Sequence, residues 1–154
     1  MTKMKIVLVS CVAKKADIED GKLLPAKELY ISPLFQKAYA YAKSLMPDKI
    51  YILSAKHGLL EPDDLICKYN ESLYSKTARD RTEWGDNVLK SLQNIGIDIQ
   101  KDEFIFLAGK IYCKHLIGKD KIENYNIVYK GLTGIGHILN FLNSKLNTNG
   151  SEHK

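Results

Sequence analysis

Four apolar runs rich in β-branched or aromatic residues recur along the chain, each followed by a polar stretch and then by apolar residues at helical spacing. The first, residues 4–9 (MKIVLV), lacks polar alternation, which is the pattern of a parallel strand covered on both faces. It stops at Ser10 and Cys11, and the polar, irregular residues 12–29 predict a long first loop of the kind usually kept for binding or motion. Ser32-Pro33 then announces a helix, because Ser accepts early backbone N–H groups and Pro has a preset φ suited to the first turn. Leu34, Phe35, Ala38, Ala42 and Leu45 follow on one face, and Pro47 closes the element.

A second strand is predicted at 50–53. Ser75 or Thr77 caps the next helix, whose stripe is Trp84, Val88, Leu92 and Ile95, with an end near Gly96. A third strand at 103–108 turns at Gly109 into a short helix carrying Tyr112, His115 and Leu116. The fourth, at 125–129, leads through Gly131, Gly134 and Gly136 to a last helix with Ile135, Ile138, Leu139, Leu142 and Leu146 on one side.

Strands alternating with helices, without a two-residue hairpin signal, predict an α/β fold. The expected form is three-layer and Rossmann-like, a mainly parallel four-stranded sheet flanked by helices. Residues 1–147 read as a single domain and 148–154 as a polar tail. Right-handed crossovers would gather the four strand exits, at 10–15, 54–69, 109–112 and 131–136, on one edge of the sheet, where ligands of open α/β sheets bind.

Composition sharpens this only modestly. The 154 residues are 45% hydrophobic, enough for one core, and no run approaches the roughly twenty apolar residues of a membrane span. The start lacks a signal peptide's long apolar segment, so a cytoplasmic protein without membrane contact is expected. Cys11, Cys67 and Cys113 are too scattered for a disulfide framework or a zinc site, and neither a metal nor a cofactor is implied. The net charge of +5 permits nucleic-acid contact; the chain is basic through residue 60, acidic from 61 to 103 and basic again from 104.

The candidate chemistry concentrates in residues 54–73, SAKHGLLEPDDLICKYNESL. His57 can shuttle a proton near neutral pH or serve as a structural hydrogen-bonder. Asp63 or Asp64, beside Lys56 and His57, can orient water or stabilise positive charge, or an aspartate can simply cap the turn after Pro62. Lys14 and Lys15, with Lys56, offer a positive rim for phosphates, or a solvated surface. Tyr69 and Tyr112 can stack on a base or fill the core with their hydroxyls wet. Gly131, Gly134 and Gly136, with Thr133, can cradle an anion or make a tight turn. Ser10, Ser54 and Gly109 join the ligand-binding candidates through their places at strand exits.

Two stretches resemble the peroxide-stress protein YaaA family, and more closely its short phage and bacterial relatives. Ser54 followed by Gly58-Leu59-Leu60-Glu61-Pro62-Asp63-Asp64-Leu65-Ile66-Cys67-Lys68-Tyr69-Asn70 is similar to the family's Ser, then Gly-Leu-Leu-x-Pro-x-Asp-x-Ile-x-Pro-Tyr-Arg, with Asp64 and Tyr69 on the family aspartate and tyrosine. Lys68 stands in place of the proline and Asn70 in place of the arginine. Leu107-Ala108-Gly109-Lys110-Ile111-Tyr112 is similar to a later Leu-Ala-Ser-x-x-Tyr motif. The resemblance implies a link to DNA, although YaaA proteins are longer and their helix-hairpin-helix-like element has no counterpart here.

Three functions are therefore expected to compete. The first is a nucleic-acid-associated protein binding DNA or a nucleotide-like ligand at the strand-exit edge. The second is an N-glycosidase releasing a base with Asp64 (or Asp63), His57 and Lys56. The third is a non-catalytic interaction domain in which the Gly-Leu-Leu-x-Pro stretch is a rigid turn.

Overall fold

The computed structural model describes residues 3–10, 16 and 18–152, with side chains through residue 147; Cys11, Lys14 and Lys15 lie outside the described residues. In chain order the elements are β1 (Lys5–Ser10), β2 (Leu24–Pro25), α1 (Ala26–Leu29), α2 (Pro33–Ser44), β3 (Lys49–Ser54), β4 (Gly58–Leu60), β5 (Leu65–Ile66), α3 (Ala78–Asn94), β6 (Glu103–Leu107), α4 (Lys110–Cys113), β7 (Tyr125–Ile127) and α5 (Gly134–Glu152).

The first apolar run supplies the centre. Ile6, Val7, Leu8 and Val9 are wholly buried because β1 lies between β3 and β6, parallel to both. β7 continues the sheet beside β6, again parallel. The result is a mainly parallel α/β sheet of order β4-β3-β1-β6-β7 flanked by helices, five strands where the apolar runs predict four.

The additional strand is β4, antiparallel to β3 with Ile52 opposite Leu60 and Ser54 opposite Gly58. Its connection, residues 55–57, is one residue longer than the tightest hairpins, and Gly58 takes a φ of +74°, a geometry glycine adopts without steric cost. No Asn-Gly or Asp-Gly pair announces such a turn. Three residues of the stretch expected as an irregular loop, Gly58–Leu60, are thus an edge strand.

Right-handed crossovers place α2 on one face of the sheet and α3 with α4 on the other. α5 returns to the α2 side, where Tyr41 meets Phe141 edge-on at 6.0 Å and Lys37 donates a hydrogen bond to Asn143. On the opposite face Gly85 of α3 packs so closely that an added Cβ would lie 2.6 Å from the His115 carbonyl oxygen.

The expected caps are present. Ser32 Oγ accepts the Phe35 N–H at 3.2 Å, and Thr77, rather than Ser75, caps α3 by accepting the Asp80 N–H at 3.1 Å. Ile95 and Ile135, expected on apolar stripes, are exposed because each sits at a helix end. α5 remains helical through Glu152, past the point where a polar tail was expected. Among the described residues no helix is long and apolar enough to cross a membrane.

Candidate functional site

The strand order creates a crevice position. β1 and β6 are neighbours, yet the chain leaves β1 toward β3 and leaves β6 toward β7, so their exit segments diverge. In open α/β sheets that divergence opens the ligand crevice beyond the carboxyl ends of the strands. Ser10, half-buried, ends β1; Ala108 and Gly109 follow β6, and Gly109 is the N-cap residue of α4. One strand over, β3 ends at Ser54, which is wholly buried.

Ser54 is held from several directions. Its carbonyl accepts the Trp84 Nε1–H at 2.8 Å, its Oγ accepts the His57 N–H at 3.1 Å, and its hydroxyl pairs with the Tyr69 hydroxyl at 2.8 Å. Tyr69 in turn bonds the hydroxyl of Tyr30, a wholly buried side chain at the end of α1. The His57 ring stands edge-on to Tyr69 at 5.3 Å, and Lys56 Nζ lies 5.9 Å from the Tyr69 ring centroid. Tyr112 packs edge-on against Trp84 at 5.6 Å, which ties the α4 segment to the same cluster.

The charges at this edge are unequal. Burial, then the neighbouring Lys56 ammonium, holds His57 below the usual histidine range, with Glu71 and Asp64 opposing more weakly. Its imidazole is therefore neutral at pH 7, an acceptor and donor rather than a cation. Lys56 is exposed and has no ion-pair partner among the described residues.

Of the two aspartates of the motif, Asp64 is near enough to act on His57, but both are engaged in the turn that follows β4. Because β4 runs antiparallel, the chain leaves it at the amino end of β3, where Glu61 and Pro62 face Pro47, Lys49 and Ile50 across an open groove of about 590 Å³. The charged residues of that groove are all exposed, and no buried polar group converges on it. Asp64 accepts the Glu61 N–H at 2.8 Å, and its carbonyl and that of Pro62 accept the Ala26 and Lys27 N–H groups. Asp63 pairs with Lys27 at 2.7 Å and is largely exposed. The Asp64 carboxylate thus closes the β4–β5 turn on itself, while Asp63 and the Pro62 and Asp64 carbonyls fasten that turn to α1.

Gly134 and Gly136 open α5 and are exposed, with Gly134 at a φ of +78°. They follow β7, at the far end of the sheet from β3. Thr133 Oγ1 bonds His137 Nδ1 at 2.9 Å. Among the described residues no group of three or more His, Cys, Asp or Glu is placed to hold a metal. Cys113 is buried, its thiol pushed up to about 12, which leaves it inert at neutral pH.

Sequence patterning did not single out Tyr30 or the Trp84 contact with Ser54. Trp84 was legible only as a stripe residue. Tyr30 carried no signal beyond being an aromatic residue just before Ser32-Pro33.

The fold and site thus define a mainly parallel α/β domain with a polar, aromatic-lined strand-exit edge. The chain matches the family of unknown function DUF6884 over residues 6–144 and belongs to that family. It is also 32% identical over 145 residues to the uncharacterized protein YfjM of Bacillus subtilis (strain 168), covering 90% of this chain and 93% of that protein.

Proposed function

We propose that this protein is YaaA-like and nucleic-acid-associated, binding DNA or a nucleotide-like ligand at the carboxyl edge of its sheet. The observation that carries the reading is the hydrogen bond between Ser54 and Tyr69, 15 residues apart in sequence, beside the crevice position between β1 and β6. Both residues belong to the motif on which the YaaA resemblance rests, and their bond draws Lys56, His57 and Tyr69 to one place. An ammonium for phosphate, a neutral imidazole and an aromatic ring suit a nucleotide unit.

Binding is favoured over base excision because Asp64, the carboxylate such a reaction would use, is engaged by the Glu61 N–H, and Asp63 by Lys27. A purely interaction-domain role has less support, since the Ser54, Tyr69 and Tyr30 hydroxyls and the exposed Lys56 gather beside the turn that precedes the Gly-Leu-Leu-x-Pro stretch.

The test is fluorescence anisotropy with labelled single-stranded DNA, duplex DNA and mononucleotides across a salt series, with abasic-site formation scored in parallel. Binding should weaken as salt rises, and Lys56→Ala should reduce the log–log slope by about one. Affinity indifferent to salt, or to Lys56→Ala, would refute the proposal. Base release abolished by Asp64→Asn would replace it with the glycosidase.

A further inference from the structure

Three hydroxyls from separate parts of the chain meet beneath the residue 55–57 turn: Ser54 at the end of β3, Tyr69 on the returning chain and Tyr30 at the end of α1. Ser54 and Tyr30 are wholly buried. A hydroxyl removed from water is costly unless its hydrogen bonds are satisfied, and phenylalanine at positions 30 and 69 would fill nearly the same volume without that cost.

The geometry also orients the cluster. The His57 N–H occupies one acceptor direction of Ser54 Oγ, and the Ser54 hydroxyl pairs with the Tyr69 hydroxyl, in which either oxygen can be the donor. Tyr69 is then bonded at its oxygen by both Ser54 and Tyr30, while its ring faces the Lys56 ammonium and the edge of His57. One side chain thereby couples the backbone of the turn to the two residues the turn exposes.

We infer that Tyr30, acting through Tyr69 and Ser54, is a positioning residue of the strand-exit site. The line of hydroxyls fixes the turn in the conformation that presents Lys56 to a phosphodiester backbone. This rests on the ligand proposed above, but the line itself is a property of the unliganded protein and can be measured without one.

Tyr30→Phe deletes a single oxygen and Tyr69→Phe serves as a second variant of the same line. In the full chain without ligand, hydrogen exchange followed by NMR should show the His57 amide protected in the wild type and exchanging about fivefold faster in either variant, the loss expected for one hydrogen bond. With a labelled single-stranded oligonucleotide, Tyr30→Phe should weaken binding about fivefold and flatten the salt dependence as Lys56→Ala does. The double variant Tyr30→Phe/Lys56→Ala should bind no more weakly than Lys56→Ala alone, because both changes remove the same contact.

A merely structural tyrosine would instead multiply its effect with that of Lys56→Ala and leave the salt slope intact. That outcome, or His57 amide protection equal in wild type and variants, would overturn the inference. If the wild type shows no salt-dependent binding, the functional proposal falls while amide exchange still decides whether the line holds the turn.

Discussion

The two edges of the central sheet solve opposite problems. At the amino edge, strands begin with backbone N–H groups that lack partners, and carboxylates supply them: buried Asp102 accepts from Met4 at 3.0 Å and Asp98 at 2.9 Å, and Asp48 accepts from Lys5 at 2.7 Å. At the carboxyl edge, carbonyls need donors, and Trp84 provides one to Ser54 at 2.8 Å. The carboxylates are therefore committed to architecture, whereas the opposite edge keeps an exposed lysine and a neutral histidine for other use. Acidic residues near a strand end do not by themselves mark a site; the end of the strand on which they fall decides what they do.

The largest effect expected from this contrast lies at the amino edge. Asp102→Ala leaves two backbone donors without their charged acceptor, and urea denaturation should show a loss of about 3 kcal/mol. Oligonucleotide affinity of the folded fraction should be unchanged. A smaller loss in stability accompanied by weaker binding would mean that the two edges are not separable.

Ser54→Ala should cost less, about 1–2 kcal/mol, since it strips one hydroxyl from the buried line and leaves the His57 N–H and Tyr69 with a partner fewer. Unlike Asp102→Ala, it should also weaken oligonucleotide binding. Equal binding in the two variants would erase the distinction.

A third prediction concerns pH. The His115 Nε2 is buried without a hydrogen-bond partner among the described residues, and burial, then Lys114, Lys121 and Arg81, hold the imidazole below its usual range. A histidine depressed in the folded state binds fewer protons there than in the unfolded chain. The associated stability is therefore fully present above pH 6.5, the ordinary histidine value, and falls as the pH drops below it. His57 acts in the same direction. Thermal melts from pH 7.5 to 5 should decline, and His115→Leu should flatten the acid limb more than His57→Gln, which alters a more exposed side chain. A pH-independent Tm for the wild type would contradict the burial of Nε2.

Much of this architecture was legible in the sequence. Unbroken apolar runs such as residues 4–9 can satisfy only a strand covered on both faces, and Ser32-Pro33 marks a helix start by local chemistry alone. β4 was hidden because only three residues pair and the turn before it has no distinctive dipeptide. The course of the chain through Glu61 and Pro62 follows directly from that hidden strand: a loop stays at the strand-exit edge, but an antiparallel strand carries the chain toward the other end. Tyr30 was out of reach for a different reason. Its role depends on a contact 39 residues away, and no local period encodes it.

The smallest effect should come from the most conspicuous charge in the motif. Asp63 lies 2.7 Å from Lys27, the shortest ion pair among the described residues, but the aspartate is 81% exposed. Proximity to Asp63, through its hydrogen bond and charge, raises the Lys27 pKa, so the ammonium stays charged through neutral pH. Water competes for both partners and holding two mobile side chains together costs entropy, so an exposed pair adds little. Asp63→Asn should therefore leave the denaturation midpoint, the salt dependence of DNA binding and any base release unchanged. A measurable loss of binding would place Asp63 in the ligand's path and require the β4–β5 turn to reach the strand-exit edge, contrary to its attachment at α1.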